Sequence, residues 1–451
     1  MWTFREAEDY LDKTAPPGTS VYGLGRVSHL IEILGRPGRG IPCITVVGTN
    51  GKGTVLAYLE SLFREHGILT ASHIKPHLES VTERIRIDGT DATEDEFAEY
   101  LFEVRDAVAH NWRREDSPTY FELIFAAFMC AAGKNNAQLC LLETGLGGRL
   151  DAVNAVDADM VVMTSIGLDH TELLGDTLQK ITDEKVVIAR PGSILVCQDN
   201  PAEVIDRVEK YTEKNEILLI QAGDENFLHC SQDGSWEYRS SFQGVIDKLE
   251  PSIRGPYMPS NAGLALLSFE AYVSHVKAGF PVRELSHERI RAGLASARIP
   301  GRWEVFSVPE YGATVTLDGA HNPSGLYEIL RSFASETRAE GTIIFGMKKG
   351  KDVAPVLEWL CNSCGRIIFV PVPWVDSHDP DVLADKVNGI IRSSESLDNI
   401  MKFSQIKVDT ADSIDEGMKL ALNNNGTDKN ILVTGSLYLA GAARTFLRLL
   451  E

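Results

Sequence analysis

The segment Cys43–Glu60, CITVVGTNGKGTVLAYLE, constrains this chain more than any other. It opens with five apolar or β-branched residues, passes through a glycine-rich turn and continues with apolar residues at helical spacing. That order predicts strand, phosphate-sized loop and helix. Gly48, Gly51 and Gly53 let the backbone curl so that several N–H groups face one hollow. The helix N-terminus adds its positive dipole end to that hollow. Lys52 can place an ammonium on a terminal phosphate, and Thr54 offers a hydroxyl where such loops hold Mg²⁺. The strict spacing G-x-x-x-x-G-K-[ST] is not met, because the loop is shorter and Gly53 separates Lys52 from Thr54. An ordinary glycine turn before a helix is the competing reading.

The chain around this segment has 451 residues, enough for two or three domains. No stretch approaches the roughly 18 consecutive apolar residues of a membrane span. The N-terminus, MWTFREAEDYLDK, is amphipathic and acidic and lacks a signal-peptide core, so a cytoplasmic protein is expected. A net charge of −20 argues against nucleic-acid binding and requires that an anionic substrate meet a locally basic pocket. Of the seven cysteines, only Cys361 and Cys364 form a C-x-x-C, and neither a second pair nor a histidine is adjacent. They read as buried thiols of a reducing compartment rather than as a zinc site.

Further elements alternate between strand and helix. A helix is expected over Val27–Leu34, another after the glycine loop to about His66, then a short strand broken at Lys75-Pro76-His77. Thr82–Asp88, with alternating Ile85 and Ile87, reads as a strand at a solvated edge. Residues 94–114 read as an acidic amphipathic helix, and TYFELIFAAFMCAA as a buried one. QLCLLE and MVVMTS are buried strands, and the ends at Gly48, Glu143 and Ser165 are expected to share one crevice. A helix follows over about 176–189, residues 193–250 suggest a small β extension, and residues 259–278 another helix. After a boundary near ARIPGR, the segments TVTLDGAHNP, GTIIFG, RIIFVPV and NILVTG are strands of a second series, closed by a helix from Ser436 to Leu450. The fold class expected is α/β, with two doubly wound domains on parallel sheets, residues 1–296 and 297–451.

A phosphate loop with carboxylate, imidazole and lysine at neighbouring strand ends suggests ATP and Mg²⁺. Glu143 is a hard oxygen ligand of the kind Mg²⁺ prefers; His170 follows a strand end and suits a ligand or a phosphate contact; either is also compatible with a structural role. Asp318 and His321, in LDGAHNP, sit at a strand end of the second domain, where turn and cap chemistry is the alternative. Arg302, near the domain junction, can reach a nucleotide phosphate.

Taken in order, VVGTNGKGT, TERIRIDG, TYFE, LLETGLGGRLDAVN, TSIGLDHTELLGDT, EKVVIARPG, RGPYMPSNA, PGRWE, LDGAHNP and TGSLYLAG span essentially the whole chain. With these motifs the sequence resembles the folylpolyglutamate synthase/dihydrofolate synthase family of the Mur-ligase superfamily. The resemblance implies a P-loop ATPase-like N-terminal domain, a smaller Rossmann-like C-terminal glutamate-ligase domain and a place in folate biosynthesis and one-carbon metabolism. It implies an ATP-dependent ligase, acting as a monomer on a pterin or folate acid and L-glutamate through an acyl phosphate. Gly48, Thr49, Asn50, Gly51, Lys52, Gly53 and Thr54 would then hold ATP phosphates, with Asn261, Arg302 and Asp318 on the rest of the nucleotide. Thr54, Glu143, His170 and a carbamylated Lys185 would hold magnesium, and Lys52, Lys185 and His170 would carry the catalysis. The acid substrate would meet Gly23, Leu24, Tyr120, Phe121, Glu122, Leu150, Asp151 and Ala152, with Lys75 and His321 added on the substrate side.

Four departures stand out. The family usually reads Thr/Ser-Ser-Pro-His where this chain has Ile74-Lys75-Pro76-His77, so a hydroxyl that normally helps to hold one magnesium is missing. Lys75 would substitute a fixed positive charge, or bind a substrate carboxylate or phosphate. Gly25 stands where the family has glutamate, Tyr257 and Met258 where it has His-Gln, and Gly350-Lys351-Asp352 where it has Asp-Lys-Asp. A paralogue acting on another acid, or a catalytically silent nucleotide-binding protein, is the alternative.

Overall fold

Two buried strands set the frame of the N-terminal part. β1 (Cys43–Val47) and β5 (Leu139–Glu143) are covered at every position, which is the pattern of central strands in a parallel sheet with helices on both faces. In the computed structural model, which describes residues 2–14, 23–112, 117–223, 226, 228–231, 234–240, 244–275, 285–393, 406–423 and 429–450, they lie side by side. β2 (Thr70–His73), β3 (Arg86–Ile87), β4 (Thr90–Asp91), β6 (Met160–Met163), β7 (Ile194–Cys197) and β8 (Leu218–Gln221) complete the order β4-β3-β2-β5-β1-β6-β7-β8. The run from β2 to β8 is parallel; β3 and β4 pair antiparallel at one edge.

Register decides what the strand ends can share. Val46 is opposite Glu143 and Val47 opposite Met163, so the turn after β1 emerges between the ends of β5 and β6. Thr144 and Thr164 donate their N–H groups to Val46 O and Val47 O, at 3.1 and 2.8 Å. The helix Lys52–Glu65 then runs under cover, with every residue from Gly53 to Phe63 buried, and Ser61 Oγ lies 2.8 Å from Ser296 Oγ of the helix His287–Ser296. On the other side of β5, the helix Tyr120–Lys134 is buried from Glu122 to Ala132 and opens with a Thr119/Glu122 capping box.

Two expectations need correction here. Thr82–Asp88 is not one strand: Val81–Arg84 forms a 3₁₀ turn, because Glu83 Oε1 and Oε2 accept the N–H groups of Leu78, Glu79 and Ser80 and Ser80 caps the turn in return. Only Arg86–Ile87 is extended. Residues 193–250 also contain more than strands. An amphipathic helix, Ala202–Lys214, joins β7 to β8 before the antiparallel sheet of β9 (His229–Cys230), β10 (Trp236–Ser240) and β11 (Gly244–Leu249).

The chain divides into two compact units, Met1–Ser252 with Pro259–Arg298, and Ile253–Met258 with Ile299–Glu451. The second holds β12 (Glu304–Val308), β13 (Ala313–Leu317), β14 (Thr342–Phe345), β15 (Arg366–Phe369), β16 (Lys407–Thr410) and β17 (Lys429–Thr434) in the order β12-β13-β17-β14-β15-β16. All neighbours are parallel except β12 against β13. Leu326, Ile329, Phe333, Phe345, Leu360 and Phe369 form its core. Both units are thus doubly wound α/β layers, and the fold class expected from the sequence holds, with antiparallel strands at one edge of each sheet.

Candidate active site

Gly51 sets the geometry of the phosphate loop. Its φ of +86° is in the left-handed region, and it caps the helix that Lys52 begins. A β-carbon there would lie 2.5 Å from Asn261 Oδ1. Asn261 is 3% exposed, and its Nδ2 has no hydrogen-bond partner. A buried amide with unused donors against the loop is costly unless something accepts from it, and a phosphate oxygen is such an acceptor.

Two lysines meet on the same backbone. Lys52 Nζ donates to Gly48 O at 3.2 Å and Thr49 O at 3.0 Å; Lys185 Nζ donates to Gly48 O at 2.8 Å and Gly147 O at 3.4 Å. Lys185 is brought there by the helix Leu178–Val186, which the turn after β5 approaches closely: a β-carbon on Gly148 would be 2.8 Å from Glu184 O. Burial pushes the Lys185 ammonium down to about 7, and Lys52 pushes the same way, against Asp169 and Asp151. The neutral amine is therefore reached well below the ordinary lysine range.

Lys75, Glu143 and Asp151 form a second group. The Lys75 N–H donates to Glu143 Oε2 at 3.0 Å, while its Nζ donates to Asp151 Oδ1 at 2.7 Å. Asp151 also accepts from Gly145 N (2.7 Å) and Val153 N (3.1 Å). Its neighbours in the same turn differ: Leu150 is 46% exposed, whereas Ala152 is buried.

The aromatic pair Tyr120 and Phe121 faces a cation. Arg84 Cζ lies 5.6 Å from each ring centroid, and its Nε donates to His77 Nδ1 at 2.9 Å. Burial, with help from Arg84, lowers His77 to about 4, so it stays neutral and can accept. Glu122 is used differently. Its Oε2 accepts from Thr119 N (2.6 Å) and from Arg26 Nε (3.1 Å), tying this helix start to the helix Gly25–Ile33. Leu24 and Tyr120 pack against one buried cluster, with Gly23 leading into that helix.

His170 has a left-handed φ of +50° and a half-exposed ring, with Nε2 3.9 Å from Asp169 Oδ1 and Nδ1 4.0 Å from Glu172 Oε1. Thr54 is buried at the helix start. Among the described residues, no three His, Cys, Asp or Glu side chains are grouped to hold a metal ion by themselves. That donor set fits an ion held by nucleotide phosphates with one or two side chains, as Mg²⁺ usually is, rather than a protein cage.

In the second unit, Asp318 is 1% exposed and fully engaged. Oδ2 accepts from Tyr257 O–H (2.7 Å) and Trp303 N (2.9 Å), and Oδ1 from Ala320 N (2.8 Å). Burial raises its carboxyl above the usual range while Arg302 opposes the rise. Arg302 Nη1 would be 2.9 Å from a β-carbon on Gly319, whose carbonyl pairs with His321 Nδ1 at 3.0 Å. The sequence pattern gives Asp169, Arg84 and His77 no site role, although Arg84 and Asp169 lie in the TERIRIDG and LDH segments.

Comparison with known proteins decides what this arrangement belongs to. Residues 46–268 match the Mur ligase middle domain, and residues 302–449 the dihydrofolate synthetase C-terminal domain. The dihydrofolate synthase/folylpolyglutamate synthase of Escherichia coli K12 is 34% identical over 342 residues, 75% of each chain. This chain belongs to the dihydrofolate synthase/folylpolyglutamate synthase family. Among solved structures of the family, E. coli FolC in complex with DHPP and ADP superposes with a TM-score of 0.82 at 27% identity, over 99% of this chain and 98% of that one. The bifunctional folylpolyglutamate synthase/dihydrofolate synthase of Yersinia pestis, complexed with AMPPNP and Mn ion, gives 0.80 at 25% identity, over 99% and 98%. Among the described residues no helix is long and apolar enough to cross a membrane.

Proposed function

We propose that this protein is an ATP-dependent ligase that joins L-glutamate to dihydropteroate or a folate. The observation that carries the reading is the loop Gly48–Thr54 with Lys52, Lys185 and the unpaired Asn261 amide converging on it. A substrate carboxylate oxygen attacks the γ-phosphorus, the Pγ–O bond to ADP breaks, and an acyl phosphate forms. The glutamate amine then attacks the acyl carbon, loses its proton, and phosphate leaves. Loop amides and Lys52 hold the phosphates in line, which is most of what phosphoryl transfer needs from a protein. Magnesium, when bound, neutralises charge on the phosphates, and Thr54, Glu143, His170 and a carbamylated Lys185 are its proposed ligands. A buried lysine whose ammonium is pushed down to about 7 supports the carbamate, since only the neutral amine adds CO₂.

Asn261, Arg302 and Asp318 are assigned to the nucleotide. Gly23, Leu24, Tyr120, Phe121, Leu150, Asp151 and Ala152 are assigned to the acid, with Glu122 shaping that side through Arg26. Residues 1–296 carry ATP and residues 297–451 serve glutamate, His321 included, in a cytoplasmic monomer; free thiols buried at Cys43, Cys130, Cys140, Cys197, Cys361 and Cys364 support a reducing compartment. The test is product mass spectrometry with ATP, glutamate and a panel of acids. Addition of one glutamate residue to dihydropteroate or a folate, coupled to phosphate release, is expected. Phosphate release with non-pterin acids only would overturn the acceptor, and none with any acid would overturn the ligase.

A further inference from the structure

Lys75 stands among carboxylates that would otherwise attract a divalent ion. Glu143 ends β5, and Asp151 lies in the turn that follows, beside the phosphate loop. Oxygen donors of this kind, with phosphates nearby, are what a hard cation seeks. Here an ammonium has taken the place. The Lys75 and Asp151 side chains are 7% and 6% exposed and 2.7 Å apart. Asp151 is committed to three donors, Lys75 Nζ, Gly145 N and Val153 N. The Lys75 backbone N–H occupies Glu143 Oε2. The lysine stem packs over Gly145, where a β-carbon would be 3.2 Å from Lys75 Cδ and 3.3 Å from Asp151 Oδ2. Ile74 supplies no oxygen.

We propose that Lys75 is a built-in cation that excludes a second divalent ion, so that the nucleotide complex of this protein holds one metal ion per chain. The residues present disfavour a second ion: Asp151 already accepts three hydrogen bonds, one of them from the Lys75 ammonium, and an ion beside Lys75 would meet a like charge with little water to screen it. The proposal rests on the ATP-ligase reading above.

The test is a count of Mn²⁺ bound to the full-length chain in saturating AMPPCP, read from the loss of the free-ion EPR signal. One Mn²⁺ per chain is expected, without the coupled signal of paired ions about 3.5–4 Å apart. Two per chain in the wild type would overturn the proposal. Lys75→Ser is expected to raise the count to two; a folded Lys75→Ser that still binds one would also overturn the assignment to Lys75. If that variant does not fold, the wild-type count decides alone. Failure to retain AMPPCP at any Mn²⁺ concentration would be a different result, and would sink the ligase reading itself.

Discussion

The two units keep their buried charges in opposite ways. In the first, Lys52 and Lys185 rest on backbone carbonyls, neutral acceptors from which an anion can draw them. In the second, Asp318 is held by Tyr257, Trp303 and Ala320, and each bond is part of the fold of that unit. A charge parked on weak acceptors is available for chemistry. A charge saturated by close donors holds structure together and orients what surrounds it. Lys52 and Asp318 both lie just beyond the carboxyl end of a strand, so position alone does not distinguish them.

The sharpest way to break this contrast is to remove one charge from each side. Lys52→Ala is expected to lower kcat by about 10²–10³-fold with little change in thermal stability, because its loss leaves no buried group unpaired that water cannot reach. Steady-state kinetics with a melting curve checks both halves, and a large drop in stability would put Lys52 in the structural class. Asp318→Ala should lower the stability of its unit, in addition to any loss at the nucleotide. It strands the Tyr257 hydroxyl and two N–H groups, at a cost of about 3 kcal/mol, visible as a lower urea midpoint. Tyr257→Phe, which deletes one bond to a charged group, should cost about 1.5–3 kcal/mol in the same measurement.

Lys185 gives the most diagnostic effect. Its folded value, about 7, lies below the ordinary lysine value of 10.5, so between them the unfolded chain binds more protons than the folded one. Stability therefore rises with pH across that window, by at most about 1.4 kcal/mol per pH unit for this group. In CO₂-free buffer the wild type should gain on Lys185→Met from pH 7 to 9.5. Parallel curves would show that the ammonium is not strained by burial.

Much of this was legible in the residues. The segment Cys43–Glu60 reads as strand, turn and helix and folds as Cys43–Val47, Gly48–Gly51 and Lys52–Glu65, because β-branched residues, glycines and helical spacing act over short range. Thr82–Asp88 was misread for the opposite reason. Alternating Ile85 and Ile87 suggest a strand, but Glu83 captures three nearby N–H groups and closes a turn. The helix Ala202–Lys214 carries clear helical spacing at Val204, Val208 and Thr212, but it lies between short apolar runs that read as strands. Tyr257 departs from the family motif in sequence, and in the fold its hydroxyl donates to Asp318, 61 residues away.

By itself the sequence determined the alternation of strands and helices, the phosphate loop and the family, since each depends on residue type and order along a short stretch. Only the tertiary structure decided which charges are free to act. That depends on who fills the space around each group: Lys75 pairs with Asp151, 76 positions on, and Lys185 reaches Gly48 across 137. Burial and electrostatic pairing are properties of neighbours in space, and no local pattern encodes them.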